Sequence, residues 1–201
     1  MPLIFMEYNS EKKEIILNKE VSNLDRFVID FCSLLEDYVV VSGYVSILFG
    51  RSRATEDVDL LIKVENLEDF KKQWEKITEN EFECINTSKP EEAFSMLNET
   101  AIRFSRKGKA IPNMEFKKIS QAVHKYSFDN KIKVIIGEKV LFVSPLEMQI
   151  AYKLMLGKQG NNKDIEDAKH LYDLFEEKLN KEELLRLVKE MDAEKEFEKI
   201  K

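Results

Sequence analysis

Cysteine is scarce in this chain. Its 201 residues include two, Cys32 and Cys84, far apart and without the spacing of a metal-binding pair. That argues against a disulfide framework and a thiolate metal centre, and it points to a reducing compartment. Long hydrophobic runs are missing as well. No stretch reaches the roughly 20 apolar residues that span a bilayer. The opening stretch, MPLIFMEYNSEKKE, has no long apolar run of the secretory kind. The expectation is a cytoplasmic protein with no membrane partner. Positive charge is not in excess: 32 Lys and Arg face 38 Asp and Glu, for a formal net charge of -6. The chain as a whole is therefore no nucleic-acid coat. Aromatic and basic residues are not interleaved, so no stacking surface for single-stranded RNA stands out. Internal repeats and low-complexity segments are absent.

A real core is affordable. Hydrophobic residues make up 43% of the chain and charged residues 35%, which gives a folded domain with a heavily ionised surface. The densest pattern lies between Tyr38 and Val64, YVVVSGYVSILFGRSRATEDVDLLIKV. An apolar strand ends at a Ser42-Gly43 break. Tyr44 to Phe49 is too apolar for a loop and reads as a short buried helix. Gly50-Arg51-Ser52-Arg53 follows as a polar loop, then Asp57-Val58-Asp59 heads a second strand. Carboxylates at i and i+2 on a strand share one face. At a partly buried strand end they need a cation, and a hard divalent ion with oxygen ligands suits them.

The rest alternates between helices and strands. Ser22 starts a helix with Leu24, Phe27, Val28, Phe31, Leu34 and Leu35 at helical spacing. Leu67 to Ile77 is an amphipathic helix with Trp74 inward. Leu3 to Phe5 and Glu14 to Leu17 suggest short strands. Ala101 to Phe104 and Asn113 to Lys117 read as two strands about a Lys107-Gly108-Lys109 turn, and the second carries Glu115 between Met114 and Phe116. Asp129, the fallback to Glu115, reads as a turn residue. Ile132 to Ile136 and Val140 to Val143 form a hairpin about Gly137. Ser144, Pro145 and Glu147 look like a capped helix start, with Pro145 at the first helical position. Helices then carry the chain to its end.

The strand, small-residue turn, helix and D-h-D-h strand resemble the nucleotidyltransferase superfamily with the DNA polymerase beta-like fold. The family pattern is h-G-[GS], a spacer, then D-h-[DE]-h. Gly43 stands for the second small residue, and Ser42 replaces the first glycine. The stretch GYVSILFGRSRATEDVDLLI is most similar to the minimal and abortive-infection toxin branch. The resemblance implies an α/β (α+β) fold: a nucleotidyltransferase mixed sheet flanked by helices, with residues 1–143 as the core and residues 144–201 as a C-terminal helical segment packed on it. It implies transfer of a nucleoside monophosphate from an NTP such as ATP to a hydroxyl of tRNA, protein or a small molecule. It also implies Mg2+ or Mn2+ as cofactor and an antitoxin as partner.

The same resemblance assigns residues. Asp57, Asp59 and Glu115 become the catalytic and metal-binding carboxylates. Ser42, Gly43 and Arg53 become the phosphate-binding turn and its cation. SPLEMQIAYKL followed by KDIEDAKHL makes Lys153 a triphosphate contact and Asp164 its support. Bland alternatives stand beside these roles. Glu115 also fits an outward residue salt-bridged to a lysine. Arg51 and Arg53 also fit a solvated turn. Lys153 also fits a snorkelling helix lysine, and Asp164 a carboxylate at its helix's positive end. A catalytically weak nucleotide-binding or interaction module on the same fold is the alternative function.

Overall fold

A computed structural model describes residues 5–201. Of the strand expected at Leu3 to Phe5, only Phe5 falls within that range. In chain order the elements are β1 (Phe5–Asn9), β2 (Glu14–Asn18), α1 (Asn23–Cys32), β3 (Tyr38–Val40), α2 (Gly43–Leu48), β4 (Asp57–Ile62), α3 (Leu67–Glu79), β5 (Phe82–Cys84) and α4 (Pro90–Met96). They continue with β6 (Ile102–Arg106), β7 (Asn113–Lys118), α5 (Ala122–Asp129), β8 (Ile132–Ile136), β9 (Lys139–Val143), α6 (Leu146–Gly157), α7 (Asn162–Phe175), α8 (Lys181–Glu190) and α9 (Glu194–Phe197). The strands form one mixed sheet in the order β1-β2-β8-β9-β3-β4-β7-β6-β5. Three pairs are parallel, β2 with β8, β3 with β9 and β4 with β7; the others are antiparallel.

The alternation along β4 decides what each face holds. Val58, Leu60 and Ile62 enter the main core with Met114 and Phe116 of β7 and Val40 of β3. A strand sends alternate side chains to opposite faces, so Asp57, Asp59 and Leu61 go to the other side. There Leu61 and Val39 form a second, small cluster with Phe128 of α5. The carboxylates thus sit on the face that α5 partly covers.

Local chemistry accounts for most element starts. Ser22 caps α1 by a capping box with Asp25, and side chains of Asn66, Asn161 and Asn180 cap α3, α7 and α8. The start of α6 differs from the capping box expected there. Pro145 is the cap residue itself, with extended ψ, and makes no side-chain cap. The Ser144 hydroxyl instead donates to Ser127 Oγ, and Glu147 accepts the backbone N–H of Asn180. Both side chains are drawn away by tertiary partners. Asp129 also departs from its expected turn: it is the last residue of α5.

Helix α6 is buried nearly all round, with Leu146, Met148, Ile150, Ala151 and Leu154 in the core. A helix apolar on every side must lie between other layers. It packs against α7, α8 and α9, and all of these share one continuous core with the sheet. Among the described residues no helix is long and apolar enough to cross a membrane.

Candidate active site

The β4–β7 pairing sets the carboxylate geometry. The strands run parallel with Asp57 beside Asn113, Asp59 beside Glu115 and Leu61 beside Lys117. Asp59 and Glu115 are therefore next to each other on one face. Both are mostly buried, at 16% and 12% side-chain exposure. Two carboxylates so placed would repel strongly without a cation. Here a side chain supplies it: Lys117 Nζ lies 2.5 Å from Asp59 Oδ1 and 3.0 Å from Glu115 Oε2. Arg103 of β6, directly opposite Glu115 in register, donates to its other oxygen at 2.6 Å. Burial pushes the Asp59 carboxyl up, but the Lys117 ammonium beside it outweighs that and holds it below the usual range. Burial lowers the Lys117 ammonium, and Asp59 and Glu115 more than restore it, leaving it raised.

Asp57 shares the face but is exposed, and Thr55 Oγ1 donates to its carboxylate at 3.1 Å. Among the described residues no three His, Cys, Asp or Glu side chains are grouped to hold a metal as they stand. The donor chemistry nevertheless fits a hard cation. Asp59 and Glu115 offer oxygen ligands, and the ammonium between them is a stand-in positive ion.

The Ser42-Gly43 turn borders this pair. Ser42 has φ 64° and ψ -139°, a region that favours glycine. The resembling pattern has glycine there. Gly43 begins α2, and a Cβ on it would lie 2.5 Å from the Arg53 guanidinium. Only a residue without a side chain lets that guanidinium pack so close to the turn.

Arg53 leads to a second, buried network. Asp167 of α7 is fully buried. Its Oδ2 accepts from Arg53 Nη1 at 2.6 Å and lies 3.1 Å from Lys153 Nζ. Its Oδ1 is 2.5 Å from Arg51 Nε, an ion pair without hydrogen-bond alignment. Arg51 also donates to the exposed Glu166 at 2.7 Å. Lys153 donates to Asp164 at 2.5 Å, and Asn161 holds the other Asp164 oxygen. The Arg51–Arg53 loop is thus pinned to α7 and is not a solvated turn. Lys153 is 3% exposed and ion-paired, so it does not snorkel. Reading the sequence singled out Asp164 and missed Asp167, the hub of the network.

Beside Asp59 lies a cavity of about 160 Å³. Ser42, Asp59, Lys117, His124, Ser127, Ser144 and Gln149 give it polar lining, and Val41, Leu61, Val123, Met148, Tyr152 and Leu156 supply apolar wall. Burial, with help from Lys117, lowers the His124 imidazole below its usual value. Lys153, Asp164 and Arg53 do not line this cavity. Of the residues expected to bind nucleotide, Ser42 alone meets Asp59 there. Gly43 joins the cavity's edge to the ion network through Arg53.

No protein-family model matches the chain, and the search of curated proteins found no match. Among solved structures, the chain is similar to the crystal structure of an antigenic nucleotidyltransferase-like protein from Paracoccidioides brasiliensis. The TM-score is 0.51 with 18% sequence identity, over 82% of this chain and 85% of that one. The chain has a nucleotidyltransferase-like fold. At that identity the likeness speaks for architecture alone, namely the mixed sheet with its flanking helices, and the chemistry of the site must be argued from its own side chains.

Proposed function

We propose that this chain is a nucleotidyltransferase that moves a nucleoside monophosphate from an NTP to a hydroxyl acceptor with magnesium or manganese. The observation that supports the reading is the side-by-side placement of Asp59 and Glu115 on parallel strands, next to the Ser42-Gly43 turn. Asp57, Asp59 and Glu115 would hold the divalent ion. When bound, that ion supplies charge neutralisation on the triphosphate and acidifies the acceptor hydroxyl.

The chain's own residues do the rest. The Ser42-Gly43 turn takes the β- and γ-phosphates on its backbone N–H groups. Arg53, packed against Gly43, adds positive charge behind the turn. Lys153 and Asp164 fix the position of Arg53 through Asp167. The apolar walls beside Tyr152 and Leu156 hold the base. Glu115 takes the acceptor proton as the hydroxyl oxygen attacks the α-phosphate, and pyrophosphate leaves. An RNA end, a protein side chain or a small molecule can each supply the hydroxyl. The sequence resemblance to toxins adds a protein partner that covers this cleft.

The test is transfer of label from α-labelled NTP in the presence of magnesium, with Asp57→Ala and Asp59→Ala combined. Loss of transfer in the double variant supports the assignment, and retained transfer refutes it. A second reading, nucleotide binding without turnover, is favoured by Lys117 between the acids. It predicts calorimetric NTP binding with no pyrophosphate released.

A further inference from the structure

Residue spacing on β7 puts a cation where the proposed function requires a metal. Glu115 and Lys117 are two apart on one strand and share a face. Across the sheet Lys117 faces Leu61, an apolar side chain with nothing to offer an ammonium, and Asp59 is the diagonal neighbour. The ammonium accordingly reaches back to lie between Asp59 and Glu115. Arg103 meanwhile satisfies the remaining Glu115 oxygen. The pair is therefore neutralised by the chain itself. Lys117 is 38% exposed, so its flexible stem has a path outward. A carboxylate pair bridged by an ammonium can take a second cation only if the first leaves, because like charges do not share one set of oxygens.

We propose that Lys117 is a resident counter-ion that competes with divalent metal for Asp59 and Glu115, so that metal enters only as the ammonium swings away. This inference rests on the reading of that pair as a cation site. It gives Lys117 a role the resemblance does not assign. It also couples the two ligands: a triphosphate over the turn offers the displaced ammonium a new anion, so nucleotide strengthens metal binding in the native chain.

The experiment is a titration of the full chain with Mn2+, read by electron paramagnetic resonance of the free ion, with folding checked by thermal unfolding. The proteins are the native chain, Lys117→Met, Lys117→Gln and Lys117→Met combined with Asp59→Asn. The expected result is Mn2+ binding tightened about tenfold by either single substitution and lost again with Asp59→Asn. Binding by the native chain that neither Lys117 variant tightens overturns the competition and leaves the cation site standing. No binding by any of the proteins overturns both. Tightening that survives Asp59→Asn places the ion elsewhere and also overturns the proposal.

Discussion

Asp167 and Arg53, 114 residues apart in the chain, meet through a 2.6 Å hydrogen bond. Through it α7 holds the loop that leads into β4, and with it the guanidinium that packs on Gly43. Asp167 also faces Arg51 and Lys153. Removing one partner from a buried charge cluster leaves the others uncompensated. Asp167→Asn should therefore lower stability by about 3–5 kcal/mol, measured by denaturant unfolding. Glu166→Gln, at an exposed carboxylate on the same helix, should cost less than about 1 kcal/mol. Equal effects would show that burial does not set the worth of these contacts.

Ser42 carries the opposite expectation. Its φ of 64° costs a side chain that glycine does not have. Ser42→Gly should raise stability by up to about 1 kcal/mol, after the larger freedom of glycine in the unfolded chain is set against the relief. Ser42→Ala keeps the strain of the positive φ, so it should gain none of that stability. The same midpoint for both variants would argue against strain at this turn.

Gly43→Ala tests the close approach. The new methyl would meet the Arg53 guanidinium at 2.5 Å, and that group is held in place by Asp167. Overpacking of this kind costs about 1–3 kcal/mol. Calorimetry should show weaker NTP binding together with the loss in stability. Unchanged binding would separate Arg53 from the phosphate turn.

Part of the acid sensitivity should trace to Asp25. Its carboxylate is fully buried. Lys19 lies 2.9 Å away, and the Tyr44 hydroxyl donates to it at 2.8 Å. Burial pushes the carboxyl up, but hydrogen bonds from Ser22 and Lys19 outweigh it, so it sits below its ordinary value. A carboxyl lowered by folding stabilises above its unfolded pKa. That stability drains away as pH falls from about 4 through the folded value. Asp25→Asn should be less stable at neutral pH and flatten the acid limb of a stability profile. A parallel limb in the variant would assign the acid loss to other groups.

The elements were legible because their periods are local. The D-h-D of β4 and the h-E-h of β7 alternate in sequence, and Asp59 and Glu115 could each be named. Their adjacency could not, since strand register is set by partners far along the chain. Lys117 was within reach: two residues beyond Glu115, it had to share that face. Asp167 left a fainter signal. It falls on the inward stripe of α7 with Asp164, Ala168 and Leu171, and carboxylates there imply buried cations. The cap at Ser144 was misread because a sequence shows which side chains can cap, but not that Ser127 and Asn180 claim them first.

The most direct measurement is a crystal structure with Mn2+ and a non-hydrolysable NTP analogue, using anomalous scattering to place the ion. The expected result is manganese bound by Asp57, Asp59 and Glu115, Lys117 turned away from the last two, and the triphosphate over Ser42 and Gly43. An analogue bound with its phosphates away from that turn, or manganese bound at other carboxylates while Lys117 keeps its place, would contradict the account.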